Sequence, residues 1–214
     1  ITINNCTIEA EGSGVVSGSS YGIFSEFGDV IINGGTVTAR GGAVQNSGSM
    51  SYGIRASEVS ITNRGTVKAY GGGYVRTYAH GGSANWSPDI SYGICAPGGV
   101  NITNSEVEAY GGTAKVNSVG IYTNSGDVTI TGSSSVTASY NDEDFIIDDR
   151  FEFGDGYGIY SGVGVRVEGG MVYAYGAPAT GDGSDSYGIY ARGNVTMSGF
   201  AMVTATGGEA GNDS

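Results

Sequence analysis

Leucine does not occur among the 214 residues, and the chain carries only 9 lysines and arginines, one histidine, one tryptophan and two cysteines. Each shortage removes a class of protein. Without leucine, and with 14% charged residues, neither a helical bundle nor a charged disordered tail fits the composition. The 9 basic residues face 21 acidic ones, and the resulting net charge of −12 repels a phosphate backbone, so nucleic acid is not an expected partner. His80, the single histidine, has no fixed spacing to a nucleophile, which removes support from the usual triads and zinc sites. Cys6 and Cys95 are too few for a disulfide framework and lack metal-ligand spacing. No run of 18 apolar residues suggests membrane insertion, and the amino terminus has no signal-peptide pattern. The chain opens abruptly in a strand pattern, "ITI", as expected for a mature or excised piece of a longer surface or secreted protein.

Glycine, by contrast, occurs 41 times, and the apolar residues are mostly Val, Ile, Ala and Tyr, the chemistry of β-sheet. The tetrapeptide "SYGI" stands at Ser20, Ser51, Ser91 and Ser186. Its Gly-Ile recurs more widely, anchored at Gly22, Gly53, Gly93, Gly120, Gly158 and Gly188. After each anchor comes a Val-x-Ile-like triplet, such as "VSI" from Val59, then a Val-x-Ala triplet, such as "VKAYGG" from Val67. A partial copy, "ITINNCTIEAEG", opens the chain.

A unit of three short, alternating strands cannot bury its own apolar face, so the copies must stack on one another. The reading is an all-β, single-stranded parallel β-helix over residues 1–214. It has three strands per rung, six full rungs and a partial first one, with rungs about 4.8 Å apart. Right-handed winding follows from the general preference of parallel crossovers. The two cysteines then lie about three strand spacings, roughly 14 Å, apart, beyond the roughly 7 Å that a disulfide spans between α-carbons, so two free thiols are expected.

Alternation puts Val and Ala of the third strand inside and each x outside. In "YGIx" it puts Ile inside and x outside, and by the same count Tyr inside and Gly outside. The anchor glycine answers a backbone need, either a positive φ or a close approach of the next rung. Almost all variation in repeat length falls between the third strand and the next "YGI", at 41–51, 71–91, 111–118, 140–156 and 176–186. These loops leave one edge of the solenoid, where repeat proteins often bind partners.

The outward residue after the first-strand Ile is, rung by rung, Phe24, Arg55, Cys95, Tyr122, Tyr160 and Tyr190. After the third-strand Ala come Arg40, Tyr70, Tyr110, Ser139, Tyr175 and Thr206, with Tyr173 on the neighbouring row. Such aromatic ladders either stack on sugar rings or stack on each other to cover sheet surface. Trp86, in the 71–91 loop with Tyr74, Arg76, Tyr78 and His80, is either a binding lid or a ring folded back on the sheet. The segment "NDEDFIIDDRFEFGDG" gathers Asp142, Asp144, Asp148, Asp149 and Asp155, an oxygen-rich set suited to calcium but without EF-hand spacing, or else a solvated acidic loop. Its adjacent carboxylates are a weak match to glycosidase chemistry, which holds a sugar between two of them.

The recurrent "YGIFSEFGDVIINGGTVTARGG" from Tyr21 resembles the glycine-rich β-helix repeats of large bacterial surface proteins. It is also similar to the carbohydrate-binding β-helix domains of clostridial secreted proteins. That resemblance covers essentially the whole chain and implies a shape like that of pectate lyases, with calcium-dependent binding of acidic plant polysaccharide in some relatives. Where those relatives commonly carry Asp before Gly-Ile, this chain has Tyr21, Tyr52, Tyr92, Val119, Tyr157 and Tyr187. The paired Asp, His-Gly and Arg-x-Lys motifs of polygalacturonases do not occur. The expected function is a non-catalytic, bacterial, secreted or cell-surface module that recognises polysaccharide, cell-surface glycan or a surface protein. The alternatives are a structural spacer or adhesin segment and a pectate-lyase-like enzyme.

Overall fold

Branched and small apolar residues at alternate positions favour extended backbone with one buried face, and each Val-x-Ile-like and Val-x-Ala triplet lies in a β-strand. The structure is a computed structural model that describes residues 1–14, 18–44, 48–72, 75–79, 82–86, 89–140 and 154–209, with backbone alone for 75–79 and 82–86. A partial rung, β1 (Thr2–Asn4) and β2 (Thr7–Glu11), is followed by a full one of β3 (Ser20–Phe24), β4 (Val30–Asn33) and β5 (Thr36–Arg40). The second rung is β6 (Met50–Arg55), β7 (Glu58–Thr62) and β8 (Thr66–Tyr70). After it the chain makes an antiparallel hairpin, β9 (Val75–Ala79) and β10 (Gly82–Trp86), inside the longest variable loop. The third rung is β11 (Ile90–Cys95), β12 (Gly99–Thr103) and β13 (Glu106–Gly111), and the fourth is β14 (Asn117–Thr123), β15 (Val128–Thr131) and β16 (Ser135–Tyr140). The fifth is β17 (Asp155–Ser161), β18 (Val165–Glu168) and β19 (Met171–Tyr175), and the sixth is β20 (Ser186–Ala191), β21 (Val195–Ser198) and β22 (Met202–Thr206).

Corresponding strands of successive rungs pair in parallel and form three long sheets. Sheet 1 holds six strands, from β3 to β20, sheet 2 holds seven, from β1 to β21, and sheet 3 holds seven, from β2 to β22. This is the parallel β-helix expected from the repeat. Register is residue for residue: Val100 lies between Val59 and Val128, and Ala109 between Ala69 and Ala138. Each middle rung therefore buries one Ile from sheet 1, a Val and an Ile or Val from sheet 2, and a Val and an Ala from sheet 3. Burying one such Val or Ile side chain contributes roughly 1.5–3 kcal/mol. In the last rung the same positions, Val195 and Met197, are 44% and 53% exposed, because no further described rung covers them.

One expectation is reversed. Tyr21 and Phe24 are stacked, with ring centroids 4.3 Å apart, so residues three apart lie on one face of the strand. A regular strand puts them on opposite faces. The glycine between them absorbs the change of parity: Tyr faces out, Gly faces in, and Ile also faces in. A β-carbon on Gly93 would stand 2.5 Å from the Tyr110 amide nitrogen of sheet 3 and 2.7 Å from the Gly120 carbonyl oxygen of the next rung. Sheets 1 and 3 thus approach backbone to backbone, and only a residue without a side chain fits between them. None of the six anchor glycines has a positive φ, so close approach is the whole of their requirement. Positive φ recurs instead at the turn between sheets 2 and 3, at Asn5, Asn63 and Asn104 and at Gly34, Gly132 and Gly169, residue types that tolerate that conformation, and also at Arg64.

The serine of "SYGI" closes the corner between sheets 3 and 1. Ser91 Oγ donates to the Gly72 carbonyl (3.1 Å) and accepts from the Gly112 amide (2.8 Å). Ser51 repeats this with the Gly42 carbonyl (2.9 Å) and the Gly72 amide (2.7 Å). Ser20 does so with the Ser13 carbonyl and the Gly42 amide, and Ser186 with the Ala177 carbonyl and the Gly208 amide. Each hydroxyl ties the end of one third strand to the end of the next and satisfies two backbone groups. Ser118, in "SVGI", is buried and its hydroxyl has no partner among the described residues. Ser91→Ala is therefore expected to cost about 1–3 kcal/mol in urea unfolding, because it strands buried backbone groups, whereas Ser118→Ala leaves stability within about 0.5 kcal/mol. Gly93→Ala is expected to destabilise by at least the roughly 1–3 kcal/mol of an overpacked core.

Candidate functional site

Because the pinch between sheets 1 and 3 leaves no room inside for a large side chain, the tyrosine that precedes five of the six anchor glycines is turned outward. There it joins the residue after the Ile. Register then stacks like on like along the helix axis. Tyr21 stacks on Tyr52 (centroids 5.0 Å, planes 6° apart), and Tyr52 on Tyr92 (5.2 Å, 12°). Val119 interrupts this column, and the ladder steps sideways to Tyr122, 5.1 Å from Tyr92 and tilted by 57°. It continues through Tyr160 and Tyr190, at 5.1 Å and 15° for each step. Beside it Tyr157 stacks on Tyr187 (5.6 Å, 11°), and each meets its neighbour Tyr160 or Tyr190 edge to face. The result is one aromatic wall along sheet 1.

The rings are face to face with each other; Tyr52, Tyr92 and Tyr157 are buried, and the ring edges that reach solvent belong to the half-buried Tyr21, Tyr122, Tyr160, Tyr187 and Tyr190. Phe24, at one end, is 41% exposed. Three hydroxyls meet the side chain two residues upstream: Tyr52 donates to Met50 Sδ (2.8 Å), Tyr157 to Asp155 Oδ2 (2.8 Å) and Tyr187 to Asp185 Oδ2 (2.9 Å). Burial raises the phenols of Tyr52, Tyr92 and Tyr157 well above their ordinary range, and the Asp155 carboxylate adds to the effect at Tyr157. These three phenols stay protonated at neutral pH, and the charges on this face are those of neighbouring side chains such as Arg55 and Asp155.

Cys95, read as an outward residue, does sit on this face but is only 3% exposed. It packs among Tyr52, Tyr92 and Val119. Arg55, whose guanidinium lies 5.1 Å over the Tyr52 ring, donates to Cys95 Sγ at 3.7 Å. Burial pushes the Cys95 thiol up to about 11, against a smaller opposing pull from Arg55. Both thiols are free, and Cys6 is exposed.

The second ladder, on the outer face of sheet 3, is shorter. Arg40 lies 4.0 Å over the Tyr70 ring, Tyr70 stacks on Tyr110 (5.3 Å, 15°), and the buried Ser139 follows in place of an aromatic ring. Tyr173 and Tyr175 are half-buried further along the same face, opposite Thr204 and Thr206 of the last rung. The inner faces of sheets 1 and 3 oppose each other, so the two ladders point away from each other across the loop corner and do not form one cleft. Trp86 lies in β10, where the structure describes the backbone alone. Asp142, Asp144, Asp148 and Asp149 lie outside the described residues, whereas Asp155 starts β17. Its carboxylate accepts from the Tyr157 hydroxyl and from the Asp185 amide (3.0 Å). Among the described residues no three His, Cys, Asp or Glu side chains gather closely enough to hold a metal ion.

Sequence reasoning found the outer column of the wall, Phe24, Tyr122, Tyr160 and Tyr190, and missed the inner column of Tyr21, Tyr52, Tyr92, Tyr157 and Tyr187. The signal for the latter was the invariable glycine behind each tyrosine, since a glycine inside a strand marks a break in alternation or a close backbone approach.

A family model described as a beta helix repeat matches residues 30–54 and 195–214. The first match covers a complete turn, from β4 through β5 to the Gly-Ile of β6, and the second starts at β21. With the three parallel sheets, it defines the chain as a parallel β-helix repeat domain. No curated protein and no solved structure matches it.

The burial of Cys95 has a direct readout. At pH 8 a thiol-reactive chromophore is expected to label one cysteine per folded chain, Cys6, and two in denaturant, because the Cys95 thiolate is scarce as well as covered. The raised thiol favours the folded state fully below the ordinary cysteine value and loses this effect as pH rises towards about 11. The urea midpoint should fall over that interval, and less so in Cys95→Ala.

Proposed function

We propose that this β-helix is a non-catalytic extracellular binding module whose ligand is a polysaccharide or cell-surface glycan lying along the tyrosine wall of sheet 1. The observation that supports the reading is the wall's form. It is an extended strip of stacked phenol rings, half-buried at Tyr21, Tyr122, Tyr160, Tyr187 and Tyr190, that repeats at the rung spacing from Tyr21 to Tyr190. Five rung steps of about 4.8 Å make it roughly 24 Å long. A strip of this kind suits a long, repeating, hydroxyl-rich ligand better than a small molecule, which calls for a concave pocket. The variable loops leave the corner beside it, which gives the module its means of selecting among glycans. The similarity to clostridial carbohydrate-binding β-helix domains points the same way, and the wall supplies tyrosine where those relatives place Asp.

Because the rings use their faces on each other, contact with the sugar is made through edges and hydroxyls, and hydroxyl pairing carries more of the recognition than ring stacking does. A second reading, a structural spacer or adhesin segment of a bacterial surface protein, has support in the same stacking: a ladder satisfied within itself needs no ligand.

A glycan array separates the two. Tyr122→Ala and Tyr160→Ala, each half-exposed, are expected to lower glycan binding at least tenfold, about 1.4 kcal/mol or more, with the circular dichroism spectrum unchanged. Binding that survives both substitutions, or no binding to any glycan with calcium or with chelator, overturns the proposal in favour of the spacer.

A further inference from the structure

The densest part of the wall has chemistry that glycan recognition does not use. Tyr157, Tyr160, Tyr187 and Tyr190 form a closed group, with centroid distances of 5.6 Å and 5.1 Å between rungs and 5.2 Å and 5.3 Å within them. Two of the four phenols already donate to carboxylates, Tyr157 to Asp155 and Tyr187 to Asp185. The carboxylates themselves are linked, since the Asp185 amide donates to Asp155 Oδ1 at 3.0 Å. Elsewhere on the wall the Tyr52 hydroxyl donates to the Met50 thioether, which is no proton acceptor of comparable strength.

Losing an electron makes a phenol a strong acid, so a hydrogen-bonded carboxylate lets the proton leave with the electron. Two phenoxyl radicals held face to face then join through ring carbons next to the hydroxyls. Parallel register holds Tyr157 opposite Tyr187, with planes 11° apart.

We propose that Tyr157 and Tyr187 are a site of oxidative cross-linking, at which a haem peroxidase with hydrogen peroxide couples the two rings into dityrosine and staples the fifth rung to the sixth. Each phenol gives one electron to the peroxidase and its hydroxyl proton to Asp155 or Asp185. The radicals form one carbon–carbon bond between ortho positions, and the two displaced ring hydrogens return to the oxygens as the rings regain aromaticity. The net change is two tyrosines to one dityrosine with loss of two electrons and two protons, which reduce one hydrogen peroxide to two waters. Half-exposed Tyr160 and Tyr190 pass electrons outward across edge-to-face contacts, so the oxidant need not touch Tyr157, which is only 9% exposed.

The test treats the whole folded chain with peroxidase and peroxide, then digests it with trypsin. Cleavage after Arg150, Arg166 and Arg192 puts Tyr157 in peptide 151–166 and Tyr187 in peptide 167–192. The expected product joins these peptides, two hydrogens lighter than their sum, with fragmentation placing the link at Tyr157 and Tyr187. Its yield should be about tenfold higher from folded than from urea-unfolded protein at equal concentration, as for other pre-oriented reactions. The linked chain should run as a monomer and melt at higher temperature. Tyr157→Phe should abolish this product, and Asp155→Asn with Asp185→Asn should slow its formation several-fold in a protein of unchanged circular dichroism. Equal yields from folded and unfolded chain, coupling mainly between chains, or a link at Tyr160 and Tyr190 instead would overturn the assignment. Wild-type rates in the Asn variants would overturn the part given to the carboxylates.

Discussion

The structure depends on how closely two sheets can approach. Sheet 3 lines its interior with Ala at every rung, and sheet 1 answers with Gly, so their backbones come within a distance at which a single β-carbon would touch peptide atoms. That approach removes the empty space a larger triangular section would leave. It also determines where the tyrosines go. A bulky side chain cannot share the pinch, so the residue before the glycine is displaced to the outer face, meets the residue three positions on, and stacks with its counterparts in the neighbouring rungs. The aromatic wall is thus a product of core packing.

The repeat made the β-helix legible because each rung restates the same pattern of Val, Ile and Ala, and the structure pairs those residues in the register the pattern implies. What was misread came from counting alternation through a glycine. A side-chain-free residue carries no evidence of the face it occupies, so Tyr52 and Tyr92 appeared to point inward when they lie over the outside of sheet 1. The serine clamps were illegible for another reason. Ser91 bonds to Gly72 and Gly112, about twenty residues away on either side, and no local pattern announces such partners. The hairpin of β9 and β10 was hidden because it lies in a segment that belongs to no repeat. For Cys95 the face was readable but the burial was not, since part of its cover comes from side chains in other rungs, such as Tyr52 and Val119.

The charge of the chain and the charge of the wall differ in a way that bears on its partners. The sequence carries a net charge of −12, yet the sheet 1 face is built largely from phenols, with the Arg55 guanidinium over the Tyr52 ring. An acidic protein with a strip made largely of phenols repels other acidic surfaces at long range while offering hydrogen-bonding groups at contact. At one end of the wall Asp155 and Asp185 accept the Tyr157 and Tyr187 hydroxyls, so there the carboxylates reach the strip itself.

The serine bonds also set what this solenoid can vary. Ser20, Ser51, Ser91 and Ser186 each donate to a carbonyl at the start of the loop that they themselves end, so one hydrogen bond closes the neck of every such loop. With the neck held at fixed width, added residues meet only the entropy of closing a longer ring, about 0.6 kcal/mol for each doubling of length. The stacked sheets do not register the change. Insertions such as the β9 and β10 hairpin can therefore be gained, lost or exchanged one at a time. The corner works as a row of independent sockets, and a chain of this kind can acquire new recognition without renegotiating its core.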